Sequence, residues 1–212
     1  MWSADSGRQS RRAARGKESL LDAACGVIAV RGLERTRFAD VAQATGTAIS
    51  TLQYVFGSRE DILLAAVEFQ LGREVEAISE IARQTPEPDA RLLALIAFAQ
   101  EDSEARGVSR MFWHEVTRGA VRDEELRSLA GKRFDAWRGE LRAAIEQGAA
   151  RGKFPKKIDA DEAALEILAL IDGLQSASLL AEDAFQGSTL GSISRKAVGT
   201  VLRRDLRADE PA

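Results

Sequence analysis

The chain has 212 residues, of which 45% are hydrophobic and 30% charged, with a formal net charge of −3. That length allows one or two domains with a packed core, and the mixture is that of a soluble globular protein. One cysteine, Cys25, and one histidine, His114, exclude an intrachain disulfide, a cysteine-rich metal site and His–Cys catalysis; no metal and no cofactor are expected.

Proline is scarce, while Ala, Leu, Glu and Arg abound. No β-branched run or hairpin turn signal interrupts them, so the fold class is all-α, with about nine helices. Residues 1–16, MWSADSGRQSRRAARG, are polar and Arg-rich without apolar periodicity, and read as a flexible basic arm able to touch phosphates or a minor groove. From Lys17 to Arg31 a helix carries Leu20, Ala24, Val27 and Ile28 on one face. Cys25 lies in that apolar run and reads as a small core residue.

The segment from Thr36 to Asp61, TRFADVAQATGTAISTLQYVFGSRED, reads as two short helices joined by a tight turn and running into a third. Thr36 is placed to cap the first, whose apolar face is Phe38, Val41 and Ala42. Gly46 suits a sharp reversal. From Thr47 a second short helix turns Leu52 and Phe56 inward and leaves Thr47, Ser50, Thr51, Gln53 and Tyr54 on its open side. Gly57 ends it, and Ser58 caps the next helix with Glu60 and Asp61 in an acidic first turn. Small hydroxyls, a long amide and the apolar atoms of Ile49 are groups that reach base edges in a major groove. Tyr54, Thr36, Arg37 and Arg59 are placed to contact phosphates.

Charge distribution agrees with this reading despite the acidic total. Between Arg8 and Arg59 nine basic residues face four acidic ones, a local balance of +5. A basic patch on an acidic protein is the electrostatic footprint of phosphate binding.

The run Gly46-Thr47-Ala48-Ile49-Ser50-Thr51-Leu52-Gln53-Tyr54-Val55-Phe56-Gly57-Ser58-Arg59-Glu60 resembles the DNA-binding domain of TetR-family transcriptional regulators. The preceding AACGVIAVRGLERTRFADVA (residues 23–42) is similar to that family's first two helices and their Gly-Leu turn. Gln53 stands where the family commonly has Tyr, Val55 where it has Tyr or His, and Arg59 where it has Lys.

The helix opening at Ser58 continues through Ile62, Ala66, Phe69, Val75 and Ile78 to about Arg83, as a connector over 58–83. Thr85-Pro86-Glu87-Pro88-Asp89 stops it, because proline disfavours helix at and before itself. A helix with Leu92, Leu95, Ile96 and Phe98 follows. Gly107 is expected to separate it from SRMFWHEVTR, and Gly119 to end that segment. A long helix spans about Arg122 to Arg151. Asp159 with Glu162 reads as a capping box for a helix reaching about Leu180, and a last helix covers roughly Leu190 to Asp205. The apolar run Ile62–Val67 is too short to span a membrane. With no signal peptide or disulfide framework, a cytoplasmic location is expected.

VRDEEL (121–126), Trp137, GAARGKF (148–154) and LALIDGL (168–174) resemble the C-terminal domain of the BetI-like subgroup of the same family. That resemblance implies a homodimer built from the last two long helices, with Ala169, Leu170, Gly173, Leu174, Ala177, Ala197 and Val201 as interface residues. It also implies an effector of unstated identity. Phe98, Met111, His114, Phe134, Trp137, Asp172 and Gln175 combine aromatic walls with a few polar groups and are the candidate pocket. The aromatics read equally well as ordinary core.

The domains expected are therefore a 1–16 arm, a 17–63 helix-turn-helix domain, a 64–207 helical effector-binding and dimerisation domain, and a 208–212 tail. The function expected is a homodimeric regulator, acting as a repressor, that binds palindromic double-stranded DNA and is released by a small molecule. No residue pair selects a catalytic chemistry, so no enzyme is expected. A helical ligand-binding or adaptor protein that has lost operator recognition is the alternative, with Gln53 and Val55 as its motive.

Overall fold

The computed structural model describes the backbone of residues 3–101, 103–180 and 188–208, and the side chains of residues 16–101, 103–180 and 191–202. Among the described residues there are nine helices and no strand: α1 (Ser3–Arg31), α2 (Phe38–Thr45), α3 (Ile49–Phe56), α4 (Arg59–Gln84), α5 (Pro88–Ala99), α6 (Glu104–Ala120), α7 (Glu124–Ala150), α8 (Ala160–Leu180) and α9 (Ser188–Ala208). The fold is all-α, as composition and periodicity anticipate.

The helix boundaries follow identifiable chemistry. Gly46 ends α2 at φ 65°, and Gly57 ends α3 at φ 85°, both in the positive range that favours glycine. Pro88 occupies the first turn of α5, where its missing N–H costs nothing. Asp159 Oδ1 accepts the amides of Asp161 and Glu162 at 3.0 Å each, capping α8. Asp123 caps α7 in the same way through the amides of Glu125 and Leu126.

Several boundaries differ from the sequence reading. The backbone of residues 3–16 continues α1, because Arg, Ala and Gln are good helix formers and no proline interrupts them; the side chains of residues 1–15, and residues 209–212 of the expected tail, lie outside the described residues. Gly107 does not separate two elements. It lies in the first turn of α6, where a helix tolerates glycine at small cost.

By contact the chain falls into two compact units, 1–73 with 104–132, and 74–103 with 133–212. In the first, α6 packs along α1, α1 on α2, and α2 on α3. Its core joins Leu21, Ala24, Cys25 and Ile28 of α1 to Leu52 and Phe56 of α3, Ile62 and Val67 of α4, and Phe112, Trp113 and Val116 of α6. Each fully buried side chain of this size contributes about 1.5–3 kcal/mol relative to exposure. The Cys25 thiol donates to the Ala66 carbonyl at 3.5 Å, and its burial pushes its pKa up to about 12.

The second unit is built on Ile78, Leu92, Leu95, Ile96, Trp137, Leu141, Ile145, Ile167, Leu168, Ile171, Val198 and Val201. Here α9 packs against α8 and α5. Arg138 grips Asp161 with two nitrogens, at 3.0 and 2.5 Å, tying α7 to α8. That hydrogen-bonded pairing raises the Arg138 pKa and lowers that of Asp161. Gly148 of α7 lies under the Phe154 ring, and a Cβ there would come within 2.2 Å of two ring carbons. Helix propensity alone would make Gly148→Ala stabilising by about 1 kcal/mol. The clash outweighs it, so the variant should lose about 1–3 kcal/mol. Thermal denaturation followed by circular dichroism should show a lower Tm, and a raised Tm would mean that the Phe154 ring moves aside freely.

Candidate nucleic-acid interface

The turn between α1 and α2 sets where α2 and α3 lie. Thr36 is 1% exposed, and its hydroxyl donates to the Gly32 carbonyl at 2.8 Å. It therefore neither caps α2 nor offers its side chain to a phosphate, contrary to the sequence reading. The helix instead begins after Arg37, whose extended backbone N–H donates to Asp40 Oδ2 at 2.9 Å. Thr45 Oγ1 donates to the Val41 carbonyl and accepts the Thr47 amide, stitching the turn between α2 and α3.

α3 begins at Ile49, two residues after the expected Thr47, with Ala48 as its N-cap. Alanine has no side-chain acceptor, so the first-turn amides of α3 receive no side-chain cap. Such an end favours an anion by geometry and by dipole. Leu52 is fully buried and Phe56 nearly so, while Ile49, Ser50, Thr51, Gln53, Tyr54 and Val55 are exposed. Tyr54 is 91% exposed. Its ring gains almost nothing from its own chain and presents the phenol to solvent. Thr47 is half-buried beside the helix start.

Ser58 caps α4 as expected. Its hydroxyl and amide donate to Asp61 Oδ2 at 2.7 and 2.9 Å, and the Asp61 amide donates back to Ser58 Oγ at 3.1 Å. The hydroxyl bond, then the amide bond, hold the Asp61 carboxyl below its ordinary pKa.

Arg59 is placed differently from the phosphate-facing role read from sequence. Its Nε donates to the Thr36 carbonyl at 2.6 Å, and one terminal nitrogen donates to the Leu33 and Glu34 carbonyls at 2.5 and 2.9 Å. The other pairs with Glu60 at 3.2 Å. The guanidinium is thus committed to the α1–α2 turn. Arg31 pairs with Asp40, and Lys17 lies 5.6 Å from the centre of the Phe56 ring. Arg35 and Arg37 are exposed, with no ion pair among the described residues.

The candidate pocket residues separate. Met111 and His114 belong to the first unit; Phe98, Phe134, Trp137, Asp172 and Gln175 belong to the second. Met111 is exposed, whereas Phe112 and Trp113 are core of the first unit. Phe98 and Trp137 stack with centroids 6.1 Å apart. Gln175 is buried and its amide donates to the Ala99 carbonyl at 2.8 Å. Two buried polar groups beside these escape the sequence reading. Glu74 Oε1 accepts Trp137 Nε1 at 2.7 Å and Arg133 Nε at 3.0 Å, and Gln100 is buried at the end of α5. A signal for Glu74 exists, since it stands four residues before Ile78 and seven after Val67, on the core face of α4.

The candidate interface residues also divide. Ala169, Leu170 and Gly173 of α8 are exposed, and Leu174, Ala177 and Ala197 are half-buried. Val201 is buried in its own unit, so it has no surface to lend.

Residues 88–203 match the family described as BetI-type transcriptional repressor, C-terminal, and residues 20–66 match bacterial regulatory proteins of the tetR family. The chain belongs to the TetR family. Its α2–α3 pair is this family's DNA-binding helix-turn-helix, joined to a BetI-like C-terminal domain. The HTH-type transcriptional regulator BetI of Rhizobium meliloti is 27% identical over 158 residues, 74% of this chain and 75% of that protein. A transcriptional regulator from Saccharomonospora viridis, solved in complex with choline, superposes with a TM-score of 0.77 at 25% identity, covering 89% of this chain and 96% of the other. A TetR-family regulator from Rhodococcus sp. gives 0.72 at 28%, covering 88% and 97%.

In this TetR-family chain Arg59 acts as a staple, so Arg59→Ala should destabilise the protein by about 1–2 kcal/mol in DNA-free buffer, after discounting for partial exposure. Thermal melts without DNA read this directly. An unchanged melt would return Arg59 to a phosphate-contacting role.

Proposed function

We propose that this TetR-family protein is a homodimeric repressor acting in the cytoplasm, which binds a palindromic operator and releases it when a small organic effector occupies the C-terminal domain. The observation that carries the reading is the exposed face of α3, where Ile49, Ser50, Thr51, Gln53 and Tyr54 stand free on a helix whose start lacks a side-chain cap. Ser50, Thr51 and Gln53 would address base edges, with Ile49 against a thymine methyl. Tyr54, Thr47 and Arg37 would position the helix on phosphates, aided by the α3 amides.

The dimer rests on α8. It spans 21 residues of apolar character, yet only 33% of its most apolar stretch is buried within the chain. Leu165, Leu170, Leu179 and Leu180 are exposed beside Ala169 and Gly173. Small residues between leucines let a second helix approach closely, and a two-fold axis matches a palindrome. The relative solved with choline supports a small organic effector.

Thr51→Ala should weaken operator binding by about tenfold, the cost of a lost base-edge contact, and Tyr54→Ala should weaken it by removing a phosphate contact that positions the helix, while the dimer persists in both. Gel-shift titration at two salt concentrations, with sedimentation of the free protein, measures both. Wild-type affinity in the two variants, or binding indifferent to salt, would favour the adaptor reading. Leu170→Glu should yield monomers in sedimentation; a dimer that survives it would move the interface off α8.

A further inference from the structure

A cleft of about 430 Å³ opens in the first unit, where the α1–α2 turn, the start of α4, the end of α6 and the start of α7 meet. Leu33, Leu63, Leu64 and Leu126 give it an apolar surface. Leu33, Leu63 and Leu126 are buried, and Leu64 is half-buried. Gly119 holds the end of α6 close to this surface, since a Cβ there would come within 2.8 Å of Leu126 Cδ1 and 3.3 Å of Leu33 Cδ1. The volume lies in the range of sites that enclose small organic molecules.

The charged groups around these leucines are not equivalent. Arg59 pairs with Glu60, and the rest of its fork is committed to the turn carbonyls. Arg118 is held by Glu115 at 2.8 Å and Glu34 at 3.6 Å. The Asp123 carboxylate accepts the amides of Glu125 and Leu126. That leaves Arg122 and Glu125. Both line the cleft, both are exposed, and neither has an ion pair among the described residues. Three residues apart at the start of α7, they offer one open guanidinium fork and one open carboxylate beside an apolar surface.

We propose that this cleft binds an apolar α-amino acid. The ligand carboxylate is received by the Arg122 fork, whose donor geometry matches two carboxylate oxygens. The ammonium is received by Glu125, and the side chain lies on the leucines. A ligand bearing only a carboxylate brings a like charge towards Glu125 and leaves it unanswered. One bearing only an ammonium does the same to Arg122. A zwitterion answers both. The site is separate from the C-terminal domain in which the effector is placed, and it needs nothing from that reading. It sets its ligand against Leu33 and Glu34, in the turn that carries α2 and α3.

Equilibrium dialysis of the full-length protein with labelled leucine and phenylalanine, at millimolar concentration, tests this. At least one of them should bind, with one site per chain. In competition, 4-methylpentanoate and 3-methylbutylamine each lack one charged end and should bind at least about tenfold more weakly than leucine. Glycine keeps both charges without the apolar side chain and should also fall by about tenfold or more. Arg122→Ala and Glu125→Ala change exposed, unpaired side chains, so both variants should melt within about 2 °C of the parent. Each should nonetheless lose at least about tenfold in amino-acid affinity. The inference is overturned if neither amino acid binds, or if a singly charged relative or glycine matches leucine. It is equally overturned if both variants keep the parent's affinity, which would put the amino acid elsewhere on the chain.

Discussion

Everything at the reading surface depends on how one short turn is held. Between α1 and α2 the chain reverses within residues 32–37, and the carbonyls of Leu33, Glu34 and Thr36 all receive the Arg59 guanidinium. A planar fork with fixed donor directions can serve three acceptors at once, whereas an ammonium on a flexible stem would hold them less rigidly. The same device recurs. Arg91 donates to the Thr85 and Pro86 carbonyls at the α4–α5 turn, and Arg127 donates to Ala120 and Val121 after α6. At these three turns carbonyls that no helix ladder pairs are satisfied by an arginine fork.

That use of arginine changes the meaning of the charge pattern. A count of basic residues over the first 60 positions overstates what faces outward, because Arg59 is spent on the turn and Arg31 is paired. Among the described basic residues up to Arg59, Lys17, Arg35 and Arg37 are exposed and in no ion pair with a carboxylate, and α3 itself presents neutral hydroxyl, amide and phenol groups. The backbone amides and dipole of this short helix add to their attraction for a polyanion.

The parts readable from the sequence are those governed by local chemistry. Gly46, Gly57, Pro88, Ser58 and Asp159 mark helix ends because each satisfies a backbone requirement within a few residues of itself. Leu52 and Phe56 declare the inward face of α3 by spacing alone. The parts that escape depend on partners far along the chain. Thr36 looks like a cap until its hydroxyl turns back to Gly32, and Arg59 looks like a phosphate ligand until the turn of residues 33–36 reaches it. Phe112 and Trp113 carry the composition of a ligand pocket, yet α6 packs them onto α1. Val201 keeps the right period for an interface and is consumed by its own core. Periodicity says that a side chain points inward; it does not say which neighbour it meets.

Cys25 closes a different door. A thiol bonded to the Ala66 carbonyl and pushed up to about 12 holds almost no thiolate at neutral pH, and thiolate is the form that oxidants, electrophiles and soft metals attack. It is the chain's lone sulfhydryl. Oxidative stress and thiol-reactive drugs therefore find no handle on the folded protein at this position. Cys25 is an inert packing residue of the first unit's core.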